Sequence, residues 1–249
     1  MNPYLKNLNK IEFVVTYACT GKCKHCSEGD HAACGEHIDA SLAAKAVEQI
    51  TAAYPIETVM TFGGEPLLYP EAVYAIHSAA RTCGVARRQL ITNGYFTKDP
   101  ARIRQVAERL AASGVNDLLL SVDAFHQETI PLEVVWQFAK AAKDCGIPIR
   151  LQPAWLVSPE DPNPYNQKTH QLLHAFDEME ITVGQGNMIF PEGNAKRYLS
   201  EYFTQSIPQN PYVENKRDLR CLSFDPDGGV LDQNFYHTDI LTILKEYNA

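Results

Sequence analysis

Short apolar runs rich in valine, isoleucine and leucine alternate with longer segments whose apolar positions recur every three or four residues. The first pattern predicts strands at residues 11–17, 57–62, 89–92, 117–123, 147–152 and 180–183. The second predicts helices. In residues 39–50, Leu42, Ala46, Val47 and Ile50 share a face behind an acidic start; in 71–83, Val73, Ile76, Ala79 and Ala80 do so ahead of a closing Gly84. Further helices are expected at 100–112, 132–145 and 167–177. The run through Leu118, Leu119 and Leu120 suits a strand covered on both faces of a parallel sheet. Strands and helices in such succession predict an α/β fold with parallel strands and right-handed crossovers. The proline-rich stretch 158–165 reads as a loop over the active face. Near residue 191 the rhythm stops, dividing the chain into a core, 1–190, and a C-terminal cap, 191–249.

Composition narrows the classes of function. At 249 residues and 45% apolar content the chain can bury one substantial core. Its 22 basic and 30 acidic residues give a net charge of −8 with no run of Lys or Arg, which argues against nucleic acid as a partner. The opening Met1-Asn2-Pro3-Tyr4 does not read as a signal peptide, and no stretch is apolar for long enough to span a membrane, so a cytoplasmic protein is expected. Seven cysteines, three of them within eight positions, point to metal ligation rather than a disulfide framework.

Those three are Cys19, Cys23 and Cys26, in a polar loop after the first predicted strand. They supply three soft ligands, one fewer than usually closes an iron–sulfur cluster or a structural zinc site. A reduced zinc knuckle is the plain alternative. The second predicted strand stops at Gly63-Gly64-Glu65-Pro66, where glycine lets the backbone approach a ligand closely and the carboxylate can accept from an ammonium. The third ends at Thr92-Asn93-Gly94, ordinarily a tight turn. At the fourth strand's end Ser121 and Asp123, two apart, face the same way. In the fifth, Arg150 and Gln152 alternate with apolar neighbours and can point inward or outward. The four motifs from Cys19 to Asp123 lie at the carboxyl ends of predicted strands, as one shared site requires.

Together these residues resemble the radical S-adenosylmethionine (radical SAM) superfamily. The resemblance implies a partial (β/α)6 barrel of the triosephosphate-isomerase type with ligands at the carboxyl ends of its strands. It implies that Cys19, Cys23 and Cys26 hold one [4Fe–4S] cluster whose open iron is chelated by S-adenosylmethionine, with electrons from a low-potential flavodoxin- or ferredoxin-like donor. Gly63, Gly64 and Glu65 would hold the methionyl amine, Asn93 would lie near the cofactor, and Ser121 and Asp123 would reach its ribose hydroxyls or carboxylate. Arg150 could pair with that carboxylate, although an outward ion pair fits its position equally well. His25 stands where the family often has an aromatic residue near adenine, and Met188, Ile189 and Phe190 could bed the base. A fourth thiolate from Cys34 would block the open iron, so Cys34 reads as a loop thiol. No catalytic side chain is assigned.

Cys221 followed by Asp225-Pro226-Asp227-Gly228 resembles the start of the SPASM- or twitch-like extension of peptide- and protein-modifying members. Such extensions ligate auxiliary clusters with several cysteines, and none follows Cys221. The tail is therefore expected to be a cap of a hairpin and a helix, 238–247, without a second cluster. The extension favours a peptide or protein side chain as substrate. A glycyl-radical-enzyme activase and an enzyme acting on a small molecule or nucleoside are the rivals within the family. A metal-binding regulatory protein without turnover is the rival outside it, and the Gly-Gly-Glu-Pro element argues against that.

Overall fold

The computed structural model describes residues 2–203 and 208–249. The core consists of β1 (Lys10–Val14), α1 (Ala40–Ala53), β2 (Thr58–Phe62), α2 (Pro70–Thr82), β3 (Arg87–Thr92), α3 (Pro100–Ser113), β4 (Asp117–Leu120), α4 (Leu132–Asp144) and β5 (Ile149–Leu151). Then come β6 (Ala154–Trp155), α5 (Pro164–Leu173), β7 (Thr182–Val183), β8 (Asn187–Met188), α6 (Gly193–Tyr198), β9 (Cys221–Phe224), the hairpin β10 (Gly229–Val230) and β11 (Gln233–Asn234), and α7 (Ile240–Glu246). Seven strands form one parallel sheet in the order β7-β5-β4-β3-β2-β1-β9. With helices following the successive strands, this is the expected α/β fold, an open barrel of the partial triosephosphate-isomerase type. No helix among the described residues is long and apolar enough to cross a membrane.

Local chemistry explains the element ends. The Asp39 carboxylate accepts from Leu42 N to start α1, Asp99 accepts from Ala101 N with Pro100 at the first turn of α3, and Gly114 closes α3 at φ 92°. The buried faces of α1 to α4 pack with the strands into one core that includes Phe13, Ile50, Ile76, Leu110 and Phe138.

Three features differ from expectation. The first strand ends at Val14, and the chain from Val15 onward turns toward the cysteine loop. A two-stranded parallel pair, β6 with β8, forms beside the main sheet from residues outside the predicted strands. Residues 221–224 form the seventh strand of the main sheet, lying parallel to β1 with Cys221 opposite Lys10. Leu222 and Phe224 account for that placement: both are fully buried, and the Phe224 ring stacks on Phe13 at 4.8 Å. The expected hairpin and terminal helix follow, as β10–β11 and α7.

The ends of β1 and β2 are joined by unusually close backbone contact. Gly64 N donates to Thr16 O and Glu65 N donates to Ala18 O, each at 2.8 Å. A Cβ on Gly64 would lie 2.1 Å from Ala18 O, and one on Gly63, whose φ is 134°, would lie 2.5 Å from Thr16 O. Below them, inside the core, His77 of α2 bonds through Nε2 to the Thr61 hydroxyl of β2 at 2.9 Å, and its Nδ1 has no partner among the described residues. Burial pushes the His77 imidazole down to about 3, so it is neutral in the fold.

Gly64→Ala should destabilise the metal-free chain by about 3 kcal/mol in denaturant unfolding, because backbone rather than a movable side chain meets the new methyl. For His77, the unfolded chain binds a proton below its ordinary value of 6.5 while the folded chain does so only near 3. Its contribution is therefore intact above pH 6.5 and is lost progressively as pH falls toward 3, at up to about 1.4 kcal/mol per pH unit. The double replacement Thr61→Val with His77→Leu should leave stability at pH 7 nearly unchanged and flatten that acid limb. An acid limb identical to that of the parent chain would remove His77 as its cause.

Candidate metal and cofactor site

A cavity of about 500 Å³ opens at the carboxyl ends of the strands, and Cys19, Cys23 and Cys26 all line it. The loop that carries them is held from two sides. Cys19 N donates to Ala32 O at 3.0 Å within the loop. From α6, Asn194 N donates to Cys26 O at 2.8 Å and Asn194 Nδ2 to Cys23 O at 3.3 Å. Gly193 allows this approach, since a Cβ there would stand 2.2 Å from Ser27 O.

The donor chemistry fits an iron–sulfur cluster. Burial pushes the Cys19 thiol up to about 12, with Glu65 adding to the effect; Cys23 is raised by burial and then by Asp123, and Cys26 by burial. Reactive cysteines sit in electropositive surroundings that lower the thiol's pKa. These need a bound cation to become thiolates. Donors nonetheless surround the sulfurs: Gly21 N lies 3.3 Å and Asn93 Nδ2 3.6 Å from Cys19 Sγ, and the backbone N–H groups of Glu28 and Gly29 bond to Cys26. His31 donates from Nδ1 to Tyr17 O at 2.6 Å, so its Nε2, 3.1 Å from Cys26 Sγ, accepts from that thiol. Gly21 keeps the space between the thiols open, because a Cβ there would lie 3.3 Å from Cys23 Sγ and 3.7 Å from Cys19 Sγ. The compact donor group among the described residues is Cys23, His25 and His126, whose ligand atoms lie within 4.8 Å of one another. The three thiols do not form such a group. Their wider spread suits the corners of a polynuclear cluster better than one tetrahedral zinc, whose thiolates stand about 3.8 Å apart.

Gly63 and Gly64 line the cavity, and the backbone contacts described above bring them against the cysteine loop. Glu65 is fully buried and its carboxylate is already engaged: Oε1 accepts from Leu67 N at 2.9 Å and the Thr92 hydroxyl at 2.7 Å, and Oε2 from Asn93 N at 2.8 Å. Burial raises it to about 7 against the pull of those donors. Asn93 also lines the cavity, with its amide turned toward Cys19 and the Thr20 hydroxyl.

Ser121 and Asp123 reach the same space from the end of β4. Asp123 is fully buried; Oδ1 accepts from the backbone N of Phe125 and His126, and Oδ2 from Ala154 N at 3.1 Å and His126 Nδ1 at 2.7 Å. Burial would raise this carboxylate, but His126 and the donors around it hold it at about 2. With Nδ1 against the carboxylate, Nε2 is the nitrogen His126 has left for a ligand. His25 packs 4.8 Å from the His126 ring and 5.1 Å from Phe125, and burial lowers it to about 4, keeping it neutral. Met188, Ile189 and Phe190 supply apolar wall.

Arg150 is not brought into the cavity. Its guanidinium bonds Asp117 at the amino end of β4, Nη2 to Oδ1 at 2.7 Å and Nε to Oδ1 at 3.0 Å. Gln152, two residues nearer the strand's carboxyl end, does line the cavity and donates to Asn187 Oδ1 at 3.1 Å. Cys34 is exposed in a neighbouring groove. Cys221, opposite Lys10, lies at the end of the sheet away from the three thiols. Sequence reasoning left Tyr17, Glu28, His31, Ser223 and Asp225 out of the site, yet all line the cavity. Ser223 and Asp225 arrive there only because β9 pairs with β1, and no local pattern announces that pairing.

The radical SAM superfamily matches residues 13–156, more than half of the chain. Among curated proteins, GTP 3′,8-cyclase of Vibrio vulnificus is 28% identical over 127 residues, and that of Vibrio parahaemolyticus 30%; each alignment covers 48% of this chain and 36% of the relative. The chain thus spans about a third of the length of these relatives. Among solved structures, Streptococcus suis SuiB bound to S-adenosylmethionine superposes with a TM-score of 0.64 at 14% identity, covering 98% of this chain and 66% of that one. The anSMEcpe structure with bound S-adenosylmethionine superposes with a TM-score of 0.58 at 14% identity, covering 93% and 73%. Those likenesses extend the same barrel over nearly the whole chain, and by the match over residues 13–156 the chain belongs to the radical SAM superfamily.

Proposed function

We propose that this chain is a radical SAM enzyme that holds one [4Fe–4S] cluster on Cys19, Cys23 and Cys26, binds S-adenosylmethionine at the open iron, and abstracts hydrogen from a peptide or protein side chain. The observation that carries the reading is the set of three thiols, Cys23 buried and Cys19 and Cys26 half-buried, with no lysine or arginine lining their cavity among the described residues, with donors around them and with Gly63 and Gly64 against their loop. When bound, the cluster and S-adenosylmethionine supply an electron and a 5′-deoxyadenosyl radical.

The chain's own groups orient and shelter these partners. Gly21 N and the Asn93 amide donate toward the Cys19 sulfur, and Asn194 fixes the carbonyls of Cys23 and Cys26. Gly63 and Gly64 leave backbone open to the methionyl amine. Glu65, expected from sequence to hold that amine with them, also joins the ends of β2 and β3 through its bonds to Thr92 and Asn93. Ser121 and the free Nε2 of His126 face the cofactor's polar groups, and His25 with Met188, Ile189 and Phe190 forms the wall for its base. Arg150, engaged with Asp117, has no part in this arrangement.

The similarity to GTP 3′,8-cyclases favours a nucleotide as the second reading. Its weakness is electrostatic, because among the described residues no lysine or arginine lines the cavity to receive a triphosphate.

Anaerobically reconstituted protein should contain about four irons per chain and release 5′-deoxyadenosine when dithionite and S-adenosylmethionine are added. Zinc in place of iron, or an intact cluster without cleavage, would count against the enzyme reading. Cys221→Ala should leave the iron content unchanged; loss of a further four or so irons would reveal an auxiliary cluster.

A further inference from the structure

Ser223 and Asp225 enter the cavity from β9, on the opposite side of β1 from β2, β3 and β4, whose ends carry Gly63, Gly64, Asn93 and Ser121. Strand order thus divides the chamber into a side for the cofactor and a β1–β9 side. On the second stand Tyr17, Glu28 and Asp225. Past Tyr17, Glu28 and His31 the chamber runs on into an outer groove that adds Asp30, Glu36 and Asp227. Neither the chamber nor the groove is lined by any lysine or arginine among the described residues. Asp30 is paired with Arg197 at 3.4 Å, whereas Glu28 and Asp225 enter no ion pair among the described residues.

Tyr17 sets the character of this side. Its hydroxyl donates to Asp225 Oδ1 at 2.7 Å, while 45% of the residue remains exposed. An exposed aromatic ring beside carboxylates that have no cation of their own suits an ammonium or guanidinium, by attraction to both ring and charge. A phosphate or carboxylate in the same place would meet only like charge.

Taking the cavity as the reaction chamber read above, we propose that the substrate presents a cationic group, a primary ammonium or a guanidinium, which is held between Tyr17, Glu28 and Asp225. The carboxylates select the charge and the tyrosine ring covers it, so the substrate is chosen on the β1–β9 side, away from the strand ends assigned to S-adenosylmethionine.

The test is a binding titration on reconstituted protein saturated with S-adenosylmethionine. The probes are acetyl-Gly-Gly-Lys-Gly-Gly-amide, its norleucine and glutamate counterparts, and GTP. The lysine peptide should bind about tenfold more tightly than the norleucine peptide and lose several-fold in affinity between about 50 and 200 mM NaCl. Glu28→Gln with Asp225→Asn should abolish that preference, with iron content reporting that the cluster loop is intact. Equal or tighter binding of the glutamate peptide or GTP would overturn the proposal. So would an unchanged lysine preference in the double variant, or no binding of the lysine peptide up to about 10 mM. Binding is read without turnover. Failure to release 5′-deoxyadenosine would thus sink the enzyme reading alone, and loss of charge preference in a protein that does release it would sink the present proposal alone.

Discussion

The site depends on one buried carboxylate and the backbone contact in front of it. Glu65 is fully enclosed, and such a group is tolerated only where donors replace water. Those donors come from Leu67, Thr92 and Asn93, so satisfying the charge fixes the end of β2 against the end of β3. Its own backbone N is bound to Ala18 O beside Cys19. A single residue therefore ties together the cysteine loop, the Gly63–Gly64 turn and the Asn93 turn. The glycines permit this because no side chain could occupy the space between the two backbones.

Much of this was legible in sequence because it is local. The spacing of Cys19, Cys23 and Cys26, the paired glycines and the succession of strands and helices are carried by neighbouring residues, and the cavity lies where those strand ends converge. What could not be read depends on long-range pairing or on competition for a partner. Arg150 had two directions open to it, and the bidentate bond to Asp117 decided the matter. Asp123 lines the cavity at the strand end where sequence put it, but the four donors that occupy its oxygens, Ala154 N of β6 among them, could not be read from that strand end. Residues 221–224 looked like the approach to a hairpin, yet their apolar side chains match the uncovered flank of β1.

The electrostatic design is consistent throughout the chamber. Thiols held protonated without metal, a neutral His25 and a lining without lysine or arginine among the described residues leave no Lys or Arg cation there. Bound iron and the sulfonium of S-adenosylmethionine would then be the principal cations, where the low dielectric makes each count for more than in water.

The clamp on the cysteine loop has a consequence for biosynthesis. Asn194 reaches Cys23 across 171 positions of sequence, and β1 gains its second neighbour only when residues 221–224 have been made. Contacts this distant form late, after the local strands and helices. The three thiols thus leave the ribosome long before the elements that shape them. During that interval the loop is an unshaped thiol ligand for whatever metal is at hand, and the chamber is completed only once residues 221–225 have been made.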